Sequence, residues 1–315
     1  MPDAGGTPDA AQGAPPVTAC TPTPVALVTS VVLPRQIALD SANVYFSAAN
    51  DTTESDAVYQ IAKGAVGATP LKLSDPDRQP WSLATDGTYL YWNDTQDPGT
   101  IRRIRPGGSD ETTLIDVAVW GVALGPTSLF WVTSAGDVQS MPKAGGAVTT
   151  LGAAPGAGSG SVVAVALDAS NFYFVETTSL TATVASVPVS GGPVKSLATV
   201  PSDVTTLALD DQSLYFVNGD ALTRLPLAGG ATSVVAQGFQ GTVALQVDSG
   251  NAYATIARGN GPTGTVVRVS VTGGATTALA SSQWDPDGLA VDGQCVYWAD
   301  VESAGGLGAI MTVAK

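Results

Sequence analysis

The sequence contains no histidine among its 315 residues, and only 13% of the residues are charged, against about 25% in an average globular protein. Without histidine, a Ser-His-Asp triad, a histidine-ligated metal and a histidine proton shuttle are all excluded. The 13 basic and 27 acidic residues give a net charge of −14, which argues against nucleic acid and anionic membranes as partners. The sequence also lacks an apolar run of the roughly 18 residues that a transmembrane helix requires.

Repetition is the most prominent feature that the sequence does have. A phrase of the type Leu-Ala-Leu-Asp occurs seven times, with its last positions 46, 39, 43, 42, 38 and 44 residues apart. The seven copies occupy residues 36–40, 82–86, 121–125, 164–168, 206–210, 244–248 and 288–292. A period of about 42 residues is typical of one blade of a β-propeller.

The content of each period predicts four short strands. An aromatic strand such as Leu90–Trp92 follows the phrase, then an alternating strand, a Gly-Gly turn such as Gly191–Gly192, and a closing strand rich in threonine and valine. Short strands of this kind joined by glycine turns form an antiparallel blade, which predicts an all-β protein.

The number of strands predicts how the ring closes. The last repeat ends after its third strand, near residues 309–315, whereas an extra strand at 25–29 precedes the first repeat. We therefore predict a seven-bladed β-propeller of four-stranded blades over residues 25–315, closed by the N-terminal strand completing the last blade. Closure removes the unpaired edges that an open ring would leave.

The N-terminal residues have a different composition. Residues 1–16 are rich in proline, glycine, alanine and aspartate and cannot bury enough apolar surface to fold. We expect residues 1–24 to be a flexible tether. The tract resembles the spacer after the lipidated cysteine of secreted bacterial lipoproteins, which implies that an export signal has been removed and that the protein is secreted or tethered to the cell surface.

Two segments carry a family resemblance. Residues 91–94 (Tyr-Trp-Asn-Asp) and 297–300 (Tyr-Trp-Ala-Asp) resemble the signature of the YWTD propellers, and residues 289–292 (Leu-Ala-Val-Asp) resemble that of the NHL propellers. The resemblance implies a propeller that serves as an extracellular or scaffold binding module, although some similar propellers are hydrolases or lyases.

The repeated aspartates and aromatic residues are predicted to be structural. Each aspartate ends an innermost strand before a turn, where its side chain accepts backbone N–H groups. These aspartates are Asp40, Asp86, Asp168, Asp210, Asp248 and Asp292. The repeated aromatic residues are expected to pack between blades: Tyr45, Tyr91, Phe130, Tyr173, Tyr215, Tyr253 and Tyr297.

The two cysteines are predicted to form a disulfide. Cys295 precedes the second strand of the last blade, and Cys20 precedes the strand assigned as the outer strand of that blade. Alternate antiparallel strands start at the same end, so the two thiols are expected to meet there. The bond implies an oxidising compartment, extracellular or periplasmic. A lipobox over residues 17–20 and free thiols are the alternatives.

The positions directly before the seven phrases are expected to surround one mouth of the central channel. They are Arg35, Trp81, Trp120, Val163, Thr205, Val243 and Asp287. Aromatic faces with opposed charges suit a sugar or a peptide. The predicted ligand-binding residues are Arg35, Arg78, Trp81, Trp120, Trp284, Asp285 and Asp287. The alternative is that the tryptophans fill the channel or pack between blades.

No cofactor is expected from the sequence. The acidic pairs Asp75/Asp77 and Asp285/Asp287 offer oxygen ligands that Ca²⁺ prefers, but neither has the spacing of a defined calcium loop. The simpler interpretation is that the carboxylates of both pairs are solvent-exposed charges on loops.

These observations predict a monomeric, non-enzymatic binding module whose partner is a protein, a peptide or a carbohydrate. One alternative is a metal-assisted lyase or hydrolase that uses Asp203, Asp285 and Asp287 at the channel mouth. The other is a purely structural surface scaffold.

Overall fold

The computed structural model describes residues 20–49, 56–74, 80–94, 99–156, 160–259, 261–301 and 307–315, without the side chain of Trp120. Within these ranges every regular element is a β-strand, which confirms the all-β prediction. Most of the predicted tether, residues 1–19, lies outside the described residues. The described part of the chain includes no helix of the length and apolar character needed to cross a membrane.

Five antiparallel sheets contain four strands each, in sequence order. The first comprises β6 (Pro80–Thr85), β7 (Leu90–Asp94), β8 (Thr100–Ile104) and β9 (Thr112–Asp116). The second comprises β10 (Val119–Leu124), β11 (Ser128–Thr133), β12 (Asp137–Pro142) and β13 (Thr149–Ala153). The third comprises β14 (Ser161–Leu167), β15 (Asn171–Thr177), β16 (Thr181–Pro188) and β17 (Lys195–Pro201). The fourth comprises β18 (Ala208–Leu209), β19 (Ser213–Asn218), β20 (Ala221–Pro226) and β21 (Ser233–Gln237). The fifth comprises β22 (Thr242–Asp248), β23 (Asn251–Ile256), β24 (Gly264–Ser270) and β25 (Thr277–Gln283).

The other eight strands form a single sheet from the two ends of the chain. They are β1 (Val25–Val32), β2 (Ile37–Leu39), β3 (Asn43–Ala49), β4 (Asp56–Ala62), β5 (Leu71–Lys72), β26 (Pro286–Val291), β27 (Cys295–Asp300) and β28 (Leu307–Ala314). Strand β1 pairs with β28 from Val25↔Thr312 to Val32↔Leu307, and β1 meets β3 through the single pair Val32↔Ala49.

This arrangement differs from the predicted seven separate blades. Five four-stranded blades are separate, because the pair Val32↔Ala49 joins the remaining strands into one eight-stranded sheet. The sheets form a β-propeller of four-stranded antiparallel blades.

The apolar cores lie between neighbouring sheets. Among the described residues, seven clusters of buried side chains are found, six between successive sheets and one within the eight-stranded sheet. The second strand of each repeat supplies the largest members, and Trp92, Trp131 and Trp298 are fully buried. The predicted core aromatic residues are likewise at most 5% exposed, so their packing role is confirmed.

The first strand of each repeat, here called an inner strand, contacts the inner strands of its neighbours. The contacts run in the order β2, β6, β10, β14, β18, β22 and β26, and β26 contacts β2. All inner strands begin at the same end of the channel, here called the mouth. Six of them end at or next to a repeated aspartate, and β10 ends before Gly125.

The predicted role of the aspartates is confirmed at five of the six positions. A carboxylate oxygen accepts two backbone N–H groups of the following turn at Asp40, Asp86, Asp168, Asp210 and Asp292. Asp248 instead accepts from the hydroxyl of Ser249 and binds the ammonium of Lys315. Its turn has the same length but a different backbone conformation, with Ser249 and Gly250 both at positive φ.

The Cys20–Cys295 disulfide is present, with 5.9 Å between the Cα atoms. Cys295 begins β27, just after the Asp292 turn, and Thr21 accepts a hydrogen bond from the backbone of Ala314. The disulfide therefore lies at the end of the channel opposite to the mouth.

Candidate functional site

Five of the seven variable positions that the sequence singled out coincide with β-bulges. The pairing register shifts around Trp81 in β6, Val163 in β14 and Val243 in β22. The same shift spans residues 120–121 of β10 and residues 287–288 of β26. An extra residue in a strand bends it and redirects a side chain, so the side chains of Trp81, Val163 and Val243 are turned away from the regular face of the blade.

Buried polar side chains in the second strands accept hydrogen bonds from backbone N–H groups that the bulges remove from the regular strand pairing. The Ser82 N–H donates to Asn93 Oδ1 at 3.2 Å, and the Ala244 N–H donates to Thr255 Oγ1 at 3.1 Å. Ser47 accepts in the same way from the N–H of Gln36. Asn93 also donates to the Val119 carbonyl at 2.6 Å, which connects β7 with the next blade. These contacts fix the start of the inner strands.

One cavity of about 340 Å³ opens at the mouth and is surrounded by side chains from all the inner-strand regions. We call it the mouth cavity. Its lining residues include Arg35, Trp81, Gly121, Val163, Thr205, Val243 and Asp287. The apolar members remain exposed: Val163 by 39%, Trp81 by 40% and Val243 by 41%. The structure thus brings to one cavity six of the seven side chains that directly precede the repeated phrases. Of the predicted ligand-binding residues, Arg35, Trp81 and Asp287 line it.

Arg35 and Asp287 place opposite charges on one side of this cavity. The Gly288 N–H donates to the Arg35 carbonyl at 3.0 Å, and the Arg35 N–H donates to the Ser47 carbonyl at 2.9 Å. A Cβ atom at Gly288 would overlap the Arg35 carbonyl oxygen, so glycine permits this close approach of the two strands. Burial raises the pKa of the Asp287 carboxyl, and the Arg35 guanidinium and the Gly288 N–H offset only part of that effect.

A smaller cavity of about 170 Å³ adjoins the mouth cavity and shares Arg35, Val243 and Asp287 with it. We call it the side cavity. Its other lining residues are Ala257, Asp285, Pro286 and Val301. Asp285 has a φ of 40°, a left-handed conformation that aspartate and asparagine tolerate better than most residues. The turn before β26 therefore holds two carboxylates at the edge of the channel.

The structure does not bring every predicted residue to these cavities. Trp284 is half-buried in the turn after β25 and is not among the residues that line either cavity. Arg78, Asp75 and Asp77 lie outside the described residues, as does the side chain of Trp120. The binding roles of these residues stay predictions.

The residues proposed for a metal centre are not gathered in one place. Asp285 and Asp287 share the side cavity, whereas Asp203 lies beside Gly219 and lines neither cavity. Within the described ranges, no three His, Cys, Asp or Glu side chains lie together in a way that could hold a metal ion.

Thr206 is a lining residue that sequence reasoning missed. It is 6% exposed, and its hydroxyl has no hydrogen-bond partner among the described residues. The sequence does not single out Thr206, because it is the first residue of a repeated phrase and the phrase predicts a structural role. The signal that could have found it is its residue type, since only one other copy of the phrase, at Ser82, begins with a hydroxyl residue.

The chemistry that this arrangement offers is recognition. An exposed indole and two valines can cover an apolar surface, while Arg35, Asp285 and Asp287 can pair with polar or charged groups. Because these side chains come from separate inner strands of a packed ring, their relative positions are fixed by the fold.

No protein-family profile matches the sequence, and no curated protein matches it either. Solved structures do match. YCF48 from Cyanidioschyzon merolae is 14% identical, with a TM-score of 0.66 over 90% of this chain and 96% of that chain. A chain from a nidogen/laminin complex is 19% identical, with a TM-score of 0.55 over 76% of this chain and 88% of that chain. A luciferin-regenerating enzyme is 13% identical, with a TM-score of 0.53 over 73% of this chain and 88% of that chain.

At these identities the similarity concerns the fold alone, and the same fold serves in a protein complex and in an enzyme. The chain adopts the β-propeller fold of these proteins.

Proposed function

We propose that the protein is a non-enzymatic binding module whose ligand, a protein, peptide or carbohydrate, sits in the mouth cavity. The observation that carries the proposal is the exposure of Trp81, Val163 and Val243 around one cavity that also holds Arg35 and Asp287. Large apolar side chains converging with a few polar groups in a concave site are typical of ligand pockets.

The proposal is tested by replacing the exposed indole. The wild-type protein is screened against a peptide-display library and a glycan array, and the best binder is measured on Trp81→Ala. We expect the Kd to rise at least 10-fold, because a buried aromatic anchor often contributes 2 kcal/mol or more.

Val66→Ala is the matched control, since Val66 is an apolar side chain that is 60% exposed in the turn after β4, at the end of the channel where Cys20 lies. Its Kd is expected to equal that of the wild type. An unchanged Kd for Trp81→Ala, with the native melting temperature retained, would contradict the proposal.

We also propose that the ring has seven blades and that β1 closes it. The eight-stranded sheet then represents two blades, β26–β27–β28–β1 and β2–β3–β4–β5, whose strands pair with each other only at Val32↔Ala49. The cyclic order of the inner-strand contacts and the seven apolar clusters support this count.

The proposed location is extracellular or periplasmic, with the N-terminal residues as a surface tether. The Cys20–Cys295 disulfide supports this location, because such bonds persist in oxidising compartments.

A further inference from the structure

We propose that the ligand of the mouth cavity is a peptide that presents a cationic side chain, lysine or arginine, to Asp285 and Asp287 in the side cavity. This inference rests on the proposed function and names the class of its ligand.

The first argument is the balance of charge in the side cavity. Its charged lining residues are Asp285, Asp287 and Arg35, so one guanidinium faces two carboxylates. Because the site is concave and partly apolar, the uncompensated negative charge acts on a bound ligand more strongly than it would in open water. A ligand with a positively charged group would compensate this excess negative charge.

The second argument is the apolar wall beside the carboxylates. Val243, Ala257 and Val301 line the side cavity and match the methylene stem of a lysine or arginine side chain, which packs on apolar surface while its charged end pairs elsewhere. Trp81, which is 40% exposed and lines the mouth cavity, offers a further aromatic surface on which a cation or an aliphatic chain can lie.

The third argument is the hydroxyl of Thr206, which points to a peptide and not to a simple amine. Thr206 lines the mouth cavity, is 6% exposed and has no hydrogen-bond partner for its hydroxyl among the described residues. A buried hydroxyl without a partner is costly. Rotation about its Cα–Cβ bond exchanges the hydroxyl and methyl positions, which lets the hydroxyl pair with a main-chain group of a bound peptide.

The fourth argument is the charge of the whole chain. A net charge of −14 attracts cationic ligands over long range and raises their association rate at low ionic strength. The site and the whole protein therefore favour the same sign of ligand.

The experiment compares two probes by isothermal titration calorimetry, acetyl-Val-Lys-Val-amide and acetyl-Val-norleucine-Val-amide, of which the second lacks only the terminal ammonium group of the central side chain. We expect the lysine peptide to bind the wild type at least 10-fold more tightly. In Asp285→Asn/Asp287→Asn this ratio should fall to about 1, and asparagine keeps the left-handed backbone at position 285 accessible. Asp116→Asn/Asp211→Asn is the matched control, because it removes the same charge from exposed residues that line neither cavity, and its ratio should stay at the wild-type value.

The outcomes separate this inference from the proposed function. If both peptides bind equally and Trp81→Ala weakens both, the mouth cavity is a binding site but the preference for a cation is wrong. If the lysine peptide does not bind the wild type, the inference is wrong, whatever the library and array screens find. If the control pair lowers the ratio as much as Asp285→Asn/Asp287→Asn, the preference comes from overall charge and the assignment to the side cavity is wrong.

Discussion

At the level of single residues, the same tyrosine–aspartate hydrogen bond occurs in several repeats. The hydroxyl of Tyr173 donates to Asp168 at 2.8 Å, and Tyr215 donates to Asp210 at the same distance. The aspartate thus uses one carboxylate oxygen for the backbone turn and the other for the tyrosine. Burial and then the neighbouring carboxylate raise the pKa of Tyr173 to about 12.

This contact predicts a loss of stability in alkali. The pKa of Tyr91, Tyr173 and Tyr215 is about 12 in the folded protein, against about 10 in an unfolded chain. Between these values the unfolded state loses protons that the folded state keeps, so the free energy of unfolding falls as the pH rises from about 10 to 12. Urea unfolding at pH 9, 10, 11 and 12 measures the slope.

Tyr173→Phe is the comparison for this prediction. Without the hydroxyl, its free energy of unfolding should decline less steeply over the same pH interval than that of the wild type. An equal slope would show that Tyr173 does not contribute to the alkaline loss.

The aspartate turns could be predicted from sequence, but the tyrosine contacts could not. The turn depends on the local spacing of Asp168 and the next three residues, whereas the contact with Tyr173 depends on how β14 and β15 pair. Similarly, Lys63 and Lys143 form ion pairs with Asp292 and Asp86 of neighbouring repeats, and nothing in the local sequence indicates a partner so distant.

At the scale of elements, the bulged start of the inner strands determines the site. The sequence predicts which positions face the mouth, because they are the ones that vary between otherwise similar repeats. It does not predict the bulge, since a bulge exists only relative to the partner strand. The sequence predicts seven separate sheets and not the six that are present, for a related reason. The pair Val32↔Ala49, which depends on how two distant strands meet, joins two sets of strands into one sheet.

Gly288→Ala is predicted to damage the site and the ring together. The new Cβ would overlap the Arg35 carbonyl oxygen, so the Gly288–Arg35 hydrogen bond must lengthen and Asp287 must move. Overpacking of this kind typically costs about 1–3 kcal/mol of the free energy of unfolding, which chemical denaturation would measure.

The control is Gly293→Ala. A Cβ at Gly293 meets no atom within 4 Å, so we expect a change within about 0.5 kcal/mol. Equal stability of the two variants would mean that β26 and the segment before β2 are not held in close contact.

At the scale of the whole molecule, the two ends of the chain are joined in three ways. Strand β1 pairs along β28, the backbone of Ala314 donates to Thr21, and Cys20 is bonded to Cys295 across 275 residues of sequence. The disulfide was predictable from the placement of the cysteines on alternate strands.

Removing the disulfide is expected to destabilise the whole ring. For Cys20→Ala/Cys295→Ala we expect a loss of about 2–4 kcal/mol in the free energy of unfolding, because the unfolded chain regains the freedom of a very long loop. Guanidinium denaturation with and without reductant measures it. Reductant should lower the stability of the wild type only, and a wild type indifferent to reductant would contradict the prediction.

The position of that disulfide has a practical consequence for handling the protein. An inner strand of six residues such as β26 spans roughly 20 Å, and Cys20 lies at its far end from Arg35 and Asp287. An affinity tag, a dye or a solid support coupled ahead of Cys20 therefore leaves the indole of Trp81 facing free solution.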